Sequence, residues 1–194
     1  MIDLVRYSPP FMNINHAKKC IYFETAKCCT SAIKTGFGIY DAPNQTTEEW
    51  TYIHGKECEY NSYFKFGFCR NPITRICSAY NMLNSTGQPL GFPKCSFREF
   101  VLHVTREQWK NDHWIKQIDL LPENLDFLGR FENFAEDWKY IAKKFDFQQK
   151  LPLFRHGKQY DYKEFYQNNE DLYKIVADYY HEDMKRFGYS LQSI

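Results

Sequence analysis

The short apolar run at residues 20–24 (CIYFE) empties directly into Thr25-Ala26-Lys27-Cys28-Cys29-Thr30-Ser31, and Ala32-Ile33-Lys34 can then start a helix. A buried strand, a polar turn and a helix start, in that order, are the parts of a phosphate-binding loop. Backbone N–H groups at a helix N-terminus point at a ligand there, and the helix dipole adds positive potential. Lys27 supplies a movable positive charge, and Thr30 and Ser31 supply hydroxyl donors. The loop is not a Walker A loop, which needs glycines and a Lys directly before Ser/Thr. Here Lys27 precedes Thr30 by three residues and the loop contains no glycine. A P-loop nucleotide kinase, with a triphosphate and magnesium, is therefore the weaker alternative.

The rest of the chain repeats the alternation. Residues 63–69 (YFKFGFC) read as a second buried strand. Asn71-Pro72 ends it, and Pro72 suits the first turn of a helix that runs to about Leu83 with Ile73, Ile76, Cys77 and Tyr80 along one face. Gly87, Pro89, Gly91 and Pro93 make 84–95 a loop, and 41–62 are polar and turn-rich. Ser96-x-x-Glu99 predicts a capping box. Residues 105–124 are irregular, and 125–131 predict a third strand. Asn133-x-x-Glu136 opens an amphipathic helix with Phe134, Trp138, Ile141, Ala142 and Phe145 inward. A last helix starts near Asn168 or Asn169, buries Leu172, Ile175, Val176, Tyr179 and Phe187, and stops at Gly188. Strands alternating with helices imply an α/β fold, a parallel sheet covered on both sides. The 194 residues suit one domain spanning 1–194.

Composition narrows the chemistry. The 25 basic and 24 acidic side chains leave a formal charge of +1, so no protein-wide field attracts nucleic acid and an anion site must be built locally. Seven cysteines without a C-x-x-C pair argue against a zinc site and predict reduced thiols. Met1 to Pro10 lacks an apolar signal core, and no run of about 18 apolar residues occurs. The expectations are a soluble, cytoplasmic chain without stable membrane insertion and without a metal. Oligomeric state is not encoded in any readable pattern. Aromatic residues reach 19%, which could provide sugar-stacking surfaces or simply reflect an AT-rich coding sequence.

Several motifs resemble one family. IYFETAKCCTSAIK resembles the 5′-phosphosulfate loop of sulfotransferases, P-K-x-x-x-[TS] after a strand, with Lys27 on the family lysine, Ser31 on its Thr/Ser and Ala26 in place of its proline. FKFGFCRNPITRICSAYNML resembles the 3′-phosphate motif, a strand followed by R-x-P-x-x-R-x-x-S-x-Y, with Arg70, Pro72, Arg75, Ser78 and Tyr80 in place. Asp112-His113-Trp114-Ile115-Lys116-Gln117 is similar to the H-W-x-P-Q stretch of carbohydrate sulfotransferases, with Lys116 where they have proline. LDFLGRFENFAEDW resembles the family's strand followed by E-x-x-x-x-D, and the tail resembles its closing helix, ending in D-x-x-x-F-x-Y. The likeness covers about residues 20–189 and points to the sulfotransferase family 2 type, whose carbohydrate-modifying relatives are membrane-associated.

The resemblance implies a three-layer P-loop-like fold with a central parallel β-sheet flanked by helices. It also implies transfer of a sulfuryl group from 3′-phosphoadenosine 5′-phosphosulfate (PAPS), leaving PAP, to an acceptor hydroxyl, with a carbohydrate as the acceptor class. Lys27, Cys28, Cys29, Thr30 and Ser31 would bind the phosphosulfate, Arg70 and Ser78 the 3′-phosphate, and Lys158 of the Arg155-His156-Gly157-Lys158 loop would lie over the cofactor. Sulfuryl transfer demands in-line geometry and charge stabilisation on the leaving group, and needs no metal if Lys27 supplies the charge. The resemblance makes His54 the candidate general base, in the Tyr52-Ile53-His54-Gly55-Lys56 segment, where related uronosyl 2-O-sulfotransferases carry Y-H-G-H. A histidine, titrating near about 6.5, suits that task. His113 is the second catalytic candidate, and Glu57 and Glu59 are weaker ones. The other alternative is a non-catalytic relative that binds PAP and carbohydrate without transfer.

Overall fold

Strand β2 (Cys20–Phe23) is buried along its whole length, which is why its sequence is a continuous apolar run rather than an alternating one. The computed structural model describes residues 12–37, 61–85, 92–147, 161–167 and 169–190. The fold is mixed α/β, and the chain divides into two compact units.

One unit comprises residues 1–69 and 119–155. It holds a four-stranded sheet in the order β1 (Met12–Asn15), β2, β3 (Phe64–Cys69) and β4 (Phe127–Arg130). β2 pairs parallel with β3, from Cys20↔Phe64 to Phe23↔Gly67, and β3 pairs parallel with β4. β1 departs from the expected all-parallel sheet, since it pairs antiparallel with β2. Its sequence, MNIN, is too short and too weakly patterned to read as a strand. Its turn closes through Lys19 at φ 50° and an Asn15 side chain that accepts from the Lys18 amide at 2.9 Å, without any glycine. Cys20, Tyr22, Phe66 and Phe68 project from one face of the sheet. They pack against Ile33 of α1 (Thr30–Phe37) and Trp138, Ile141 and Ala142 of α4 (Phe134–Phe145). Tyr22 stacks on Phe66 at 5.3 Å, and Phe68 meets Phe134 edge-on at the same distance.

The amphipathic helix does open after Asn133, but the Asn133 side chain makes no cap hydrogen bond. A 3-10 turn (Phe131–Asn133) runs straight into α4, so Asn133 is not in the extended conformation an N-cap requires. Asp137, the last position of the E-x-x-x-x-D pattern, does the work instead. Its carboxylate accepts from the Arg130 amide at 2.6 Å and from Asn133 Nδ2 at 2.9 Å, which pins the strand-to-helix junction.

The second unit comprises residues 70–118 and 156–194. It contains α2 (Pro72–Ser85), α3 (Phe97–Thr105), α5 (Tyr162–Tyr166), α6 (Glu170–Tyr179) and α7 (His181–Phe187). The capping box before α3 is formed in both directions, with Ser96 Oγ accepting from the Glu99 amide and Glu99 accepting from the Ser96 amide. Ile73, Ile76 and Cys77 of α2 pack with Phe97, Phe100 and Val101 of α3, Trp114, and Leu172 and Val176 of α6. The single last helix expected from the sequence is two helices. The break falls at Tyr180, whose buried hydroxyl donates to the Trp114 carbonyl, a tertiary contact that periodicity does not encode. α7 does stop at Gly188, at φ 65°, the left-handed cap that glycine adopts without penalty.

Aromatic side chains are used chiefly inside these cores. The large hydrophobics exposed among the described residues are Leu128 and Tyr140. Among the described residues, no helix is long and apolar enough to cross a membrane.

Gly36 closes the contact between α1 and α4. A Cβ added there would lie 2.2 Å from Trp138 Cζ2. Helix propensity alone predicts that Gly36→Ala stabilises by up to about 1 kcal/mol. Overlap with a buried indole costs about 1–3 kcal/mol and should win. Chemical denaturation should therefore show a lower midpoint for Gly36→Ala, and a raised midpoint would refute this packing.

Candidate active site

The loop after β2 is shaped by one carbonyl. Thr25 O accepts from the Cys28 amide at 3.2 Å and from Thr30 Oγ1 at 2.8 Å, which curls residues 25–30 back on the strand end. Cys29 O then accepts from the Ala32 and Ile33 amides at 2.9 and 3.1 Å, starting α1. The curl requires Lys27 at φ 69° and Cys29 at φ 61°. Left-handed backbone at non-glycine residues costs on the order of 1–3 kcal/mol each and concentrates at functional sites. Ala26, standing where proline is usual in the resembled motif, is buried at the base of the turn.

The donor set of this loop suits an anion. The first-turn amides of a helix have no intrahelical acceptors, and the first turn of α1 carries no acidic residue. Lys27 and Thr30 are half-buried and Ser31 is exposed. Thr25 Oγ1 is buried and makes no hydrogen bond among the described residues. The nearest carboxylate in sequence, Glu24, is neutralised by Lys34 at 2.6 Å. Cys28 packs with Ile33 in the sheet core, so its contribution to the loop is its backbone and its bulk.

β3 ends at the same edge of the sheet as β2, because the two strands are parallel neighbours in register. The residue after β3 is Arg70, only 2% exposed. Its Nε donates to Thr74 Oγ1 at 3.1 Å and an Nη2 hydrogen to Tyr162 Oη at 2.5 Å, and the guanidinium lies 5.2 Å from the Tyr162 ring centre. The backbone of Arg70 is bound on both sides by the Gln117 side chain. Ser78 lies on α2 and is half-buried. Arg75, the second arginine of the motif, is buried and donates to the carbonyls of Ile115 at 2.7 Å and Asp112 at 3.0 Å. It shapes the turn that carries His113.

In that turn, His113 Nδ1 lies 2.7 Å from Asn111 Oδ1 and 3.0 Å from Asp112 Oδ1. Two acceptors facing Nδ1 place the ring hydrogen there and leave Nε2 as the proton acceptor of the neutral ring. The same contact with His113 holds the Asp112 carboxyl below the usual carboxylate range. Lys116, in place of the motif proline, pairs with Glu182 at 2.6 Å.

Of the residues singled out from the sequence, Lys27, Cys28, Cys29, Thr30 and Ser31 form one loop. Arg70 and Ser78 lie at and beyond the end of β3, and His113 lies in the Arg75-bound turn. His54, Lys158, Glu57 and Glu59 fall outside the described residues. Tyr162, Gln117, Asp183 and Thr25 were not assigned roles from sequence. Gln117 and Asp183 sit inside the matched motifs, but their function depends on partners 47 and 66 positions away. Tyr162 and Thr25 carried no sequence signal. Among the described residues, no group of three or more His, Cys, Asp and Glu side chains is placed to hold a metal ion.

The sequence model described as the Sulfotransferase family matches residues 12–190. No curated protein and no solved structure gives a significant match. The chain, from β1 to the tail beyond α7, belongs to the sulfotransferase family, whose chemistry is sulfuryl transfer to an acceptor.

Proposed function

We propose that residues 1–194 act as one sulfotransferase domain that transfers a sulfuryl group from PAPS to a hydroxyl of a carbohydrate. The observation that carries this reading is the parallel pairing of β2 and β3. The Lys27 loop follows β2 and Arg70 follows β3, and these two paired strands run in the same direction with about 4.8 Å between them. Ligands of open α/β sheets bind beyond the carboxyl ends of such strands.

PAPS supplies the activated sulfuryl group, its 5′-phosphate as leaving group and a 3′-phosphate as handle. Lys27, with the amides of Cys28 and Cys29 and the hydroxyls of Thr30 and Ser31, binds the 5′-phosphosulfate. Lys27 neutralises charge growing on the bridging oxygen as the sulfur–oxygen bond breaks. Arg70 and Ser78 hold the 3′-phosphate, for which a planar guanidinium is suited. The family likeness assigns Lys158, outside the described residues, to a contact with the nucleotide. The acceptor oxygen forms the new bond to sulfur, and its proton passes to a general base. His54 is that base, and His113 is the second candidate, favoured by an Nε2 left as acceptor by the Asn111 and Asp112 contacts. The residues need no metal for this. The carbohydrate acceptor is supported by the likeness of residues 112–117 to the H-W-x-P-Q stretch. The six free thiols among the described residues favour a reducing, cytoplasmic setting.

A transfer assay with labelled PAPS over a panel of glycans and small hydroxyl acceptors tests the reaction itself. In that assay Lys27→Ala should lower kcat by about 10²–10³, the loss typical of one preorganised donor to a developing oxyanion. Unchanged kcat would remove Lys27 from the chemistry.

The pH dependence separates the two bases. Loss of a general base abolishes the acidic limb of kcat, because the limb reports protonation of that group. His54→Ala should therefore flatten the limb and lower the rate about 10²–10⁴-fold, while His113→Ala retains the limb. The reverse pattern would transfer the role to His113.

A further inference from the structure

The ladder between β3 and β4 ends at Cys69↔Arg130, and Arg70 is the first residue beyond it. A buried peptide group at that position needs partners from outside the sheet. Both come from one side chain. The Arg70 amide donates to Gln117 Oε1 at 2.9 Å, and Gln117 Nε2 donates to the Arg70 carbonyl at 2.8 Å. A carboxamide offers an acceptor and a donor side by side in this way. Gln117 thus replaces the missing strand for a single residue.

Gln117 is itself held. Its own amide donates to Asp183 Oδ2 at 2.8 Å, and the next amide, of Ile118, donates to Asp183 Oδ1 at 2.9 Å. Gln117 Nε2 also reaches Asp183 Oδ2 at 3.4 Å. Neither Gln117 nor Asp183 exposes any surface. Asp183 belongs to α7, so a continuous path of hydrogen bonds leads from the last helix through Gln117 to the backbone of Arg70. At the far end of the same residue, Thr74 and Tyr162 hold the guanidinium. Backbone and head group are both fixed, which is what a bidentate ligand requires.

We propose that Gln117, anchored by Asp183, is a positioning residue for Arg70, setting the backbone from which the guanidinium meets the 3′-phosphate of the nucleotide. This rests on the reading of Arg70 as a 3′-phosphate ligand. A network that only stabilised the fold would not distinguish nucleotides with and without that phosphate. A positioning network would, because misplacing Arg70 weakens the 3′-phosphate contact and leaves the 5′-phosphate loop intact.

The test is calorimetric titration of the wild-type chain, Arg70→Ala, Gln117→Leu, Gln117→Glu and the Arg70→Ala/Gln117→Leu double variant with PAP and with 5′-AMP. Arg70→Ala should erase most of the preference for PAP over AMP. Gln117→Leu should reduce that preference about tenfold or more, the worth of a hydrogen bond to a charged group, with AMP affinity within about twofold of wild type. The double variant should be no worse than Arg70→Ala alone, since residues acting through one contact are not additive. If Gln117→Leu gives no cooperative melt, Gln117→Glu and Asp183→Asn carry the same comparison. A wild-type PAP preference in the folded Gln117 and Asp183 variants, with the preference lost in Arg70→Ala, overturns the positioning role and leaves the phosphate reading standing. A wild-type preference in Arg70→Ala, or no PAP binding by the wild-type chain, overturns both.

Discussion

The parallel hydrogen-bonded pairing of β2 with β3 is the constraint on which the rest of this protein depends. Both strands are buried, and their register from Cys20↔Phe64 to Phe23↔Gly67 sets where each chain leaves the sheet. A register slip of one residue would move the Tyr22 and Phe66 rings off the core face. It would also displace the end of β2 from the end of β3 along the strand direction. Tyr22 stacking on Phe66, with Trp138 and Ile141 packed over the same face, is what makes that register the stable one.

Two kinds of backbone control follow the strand ends. After β2, control is local. The Thr25 carbonyl gathers the Cys28 amide and the Thr30 hydroxyl, and two residues are driven to left-handed backbone to satisfy it. After β3, control comes from distant residues. Gln117, Arg75 and Asp183 bind backbone groups far away in sequence, in a buried polar network whose members are hydrogen-bonded. Leaving one such group unsatisfied costs about 1–3 kcal/mol, so the network is specific as well as stabilising. Burial raises the Asp183 carboxyl above its ordinary range, against the pull of the Gln117 and Ile118 amides and of Arg75.

Much of the fold was legible. The apolar runs at 20–24, 63–69 and 125–131 became strands, and the Ser96 capping box and the Gly188 stop formed as their chemistry predicts. The misses share one origin, in that each was decided by a contact between residues distant in sequence or by a neighbouring turn. β1 is a strand because β2 offers it an edge. The last helix breaks at Tyr180, the residue whose hydroxyl donates to the Trp114 carbonyl. The junction before the helix that opens after Asn133 is pinned by Asp137 rather than by an Asn133 cap. At the candidate site, residue types pointed to Lys27, Thr30 and Ser31, and the resemblance to the sulfotransferase motifs added Arg70 and Ser78. They did not disclose that Arg70 is clasped by Tyr162 and Gln117.

By itself, the sequence determined the local chemistry: which segments are apolar enough to be buried strands, which loop is rich in donors and lacks glycine, and which arginine follows a strand. These are properties of neighbouring residues, and short-range sterics and capping set them. Tertiary structure alone decided the direction of β1, the division of the C-terminal helices and the support behind Arg70. Each of those depends on which distant groups meet in a water-poor interior, where a polar atom must find a partner that only the folded chain brings within reach.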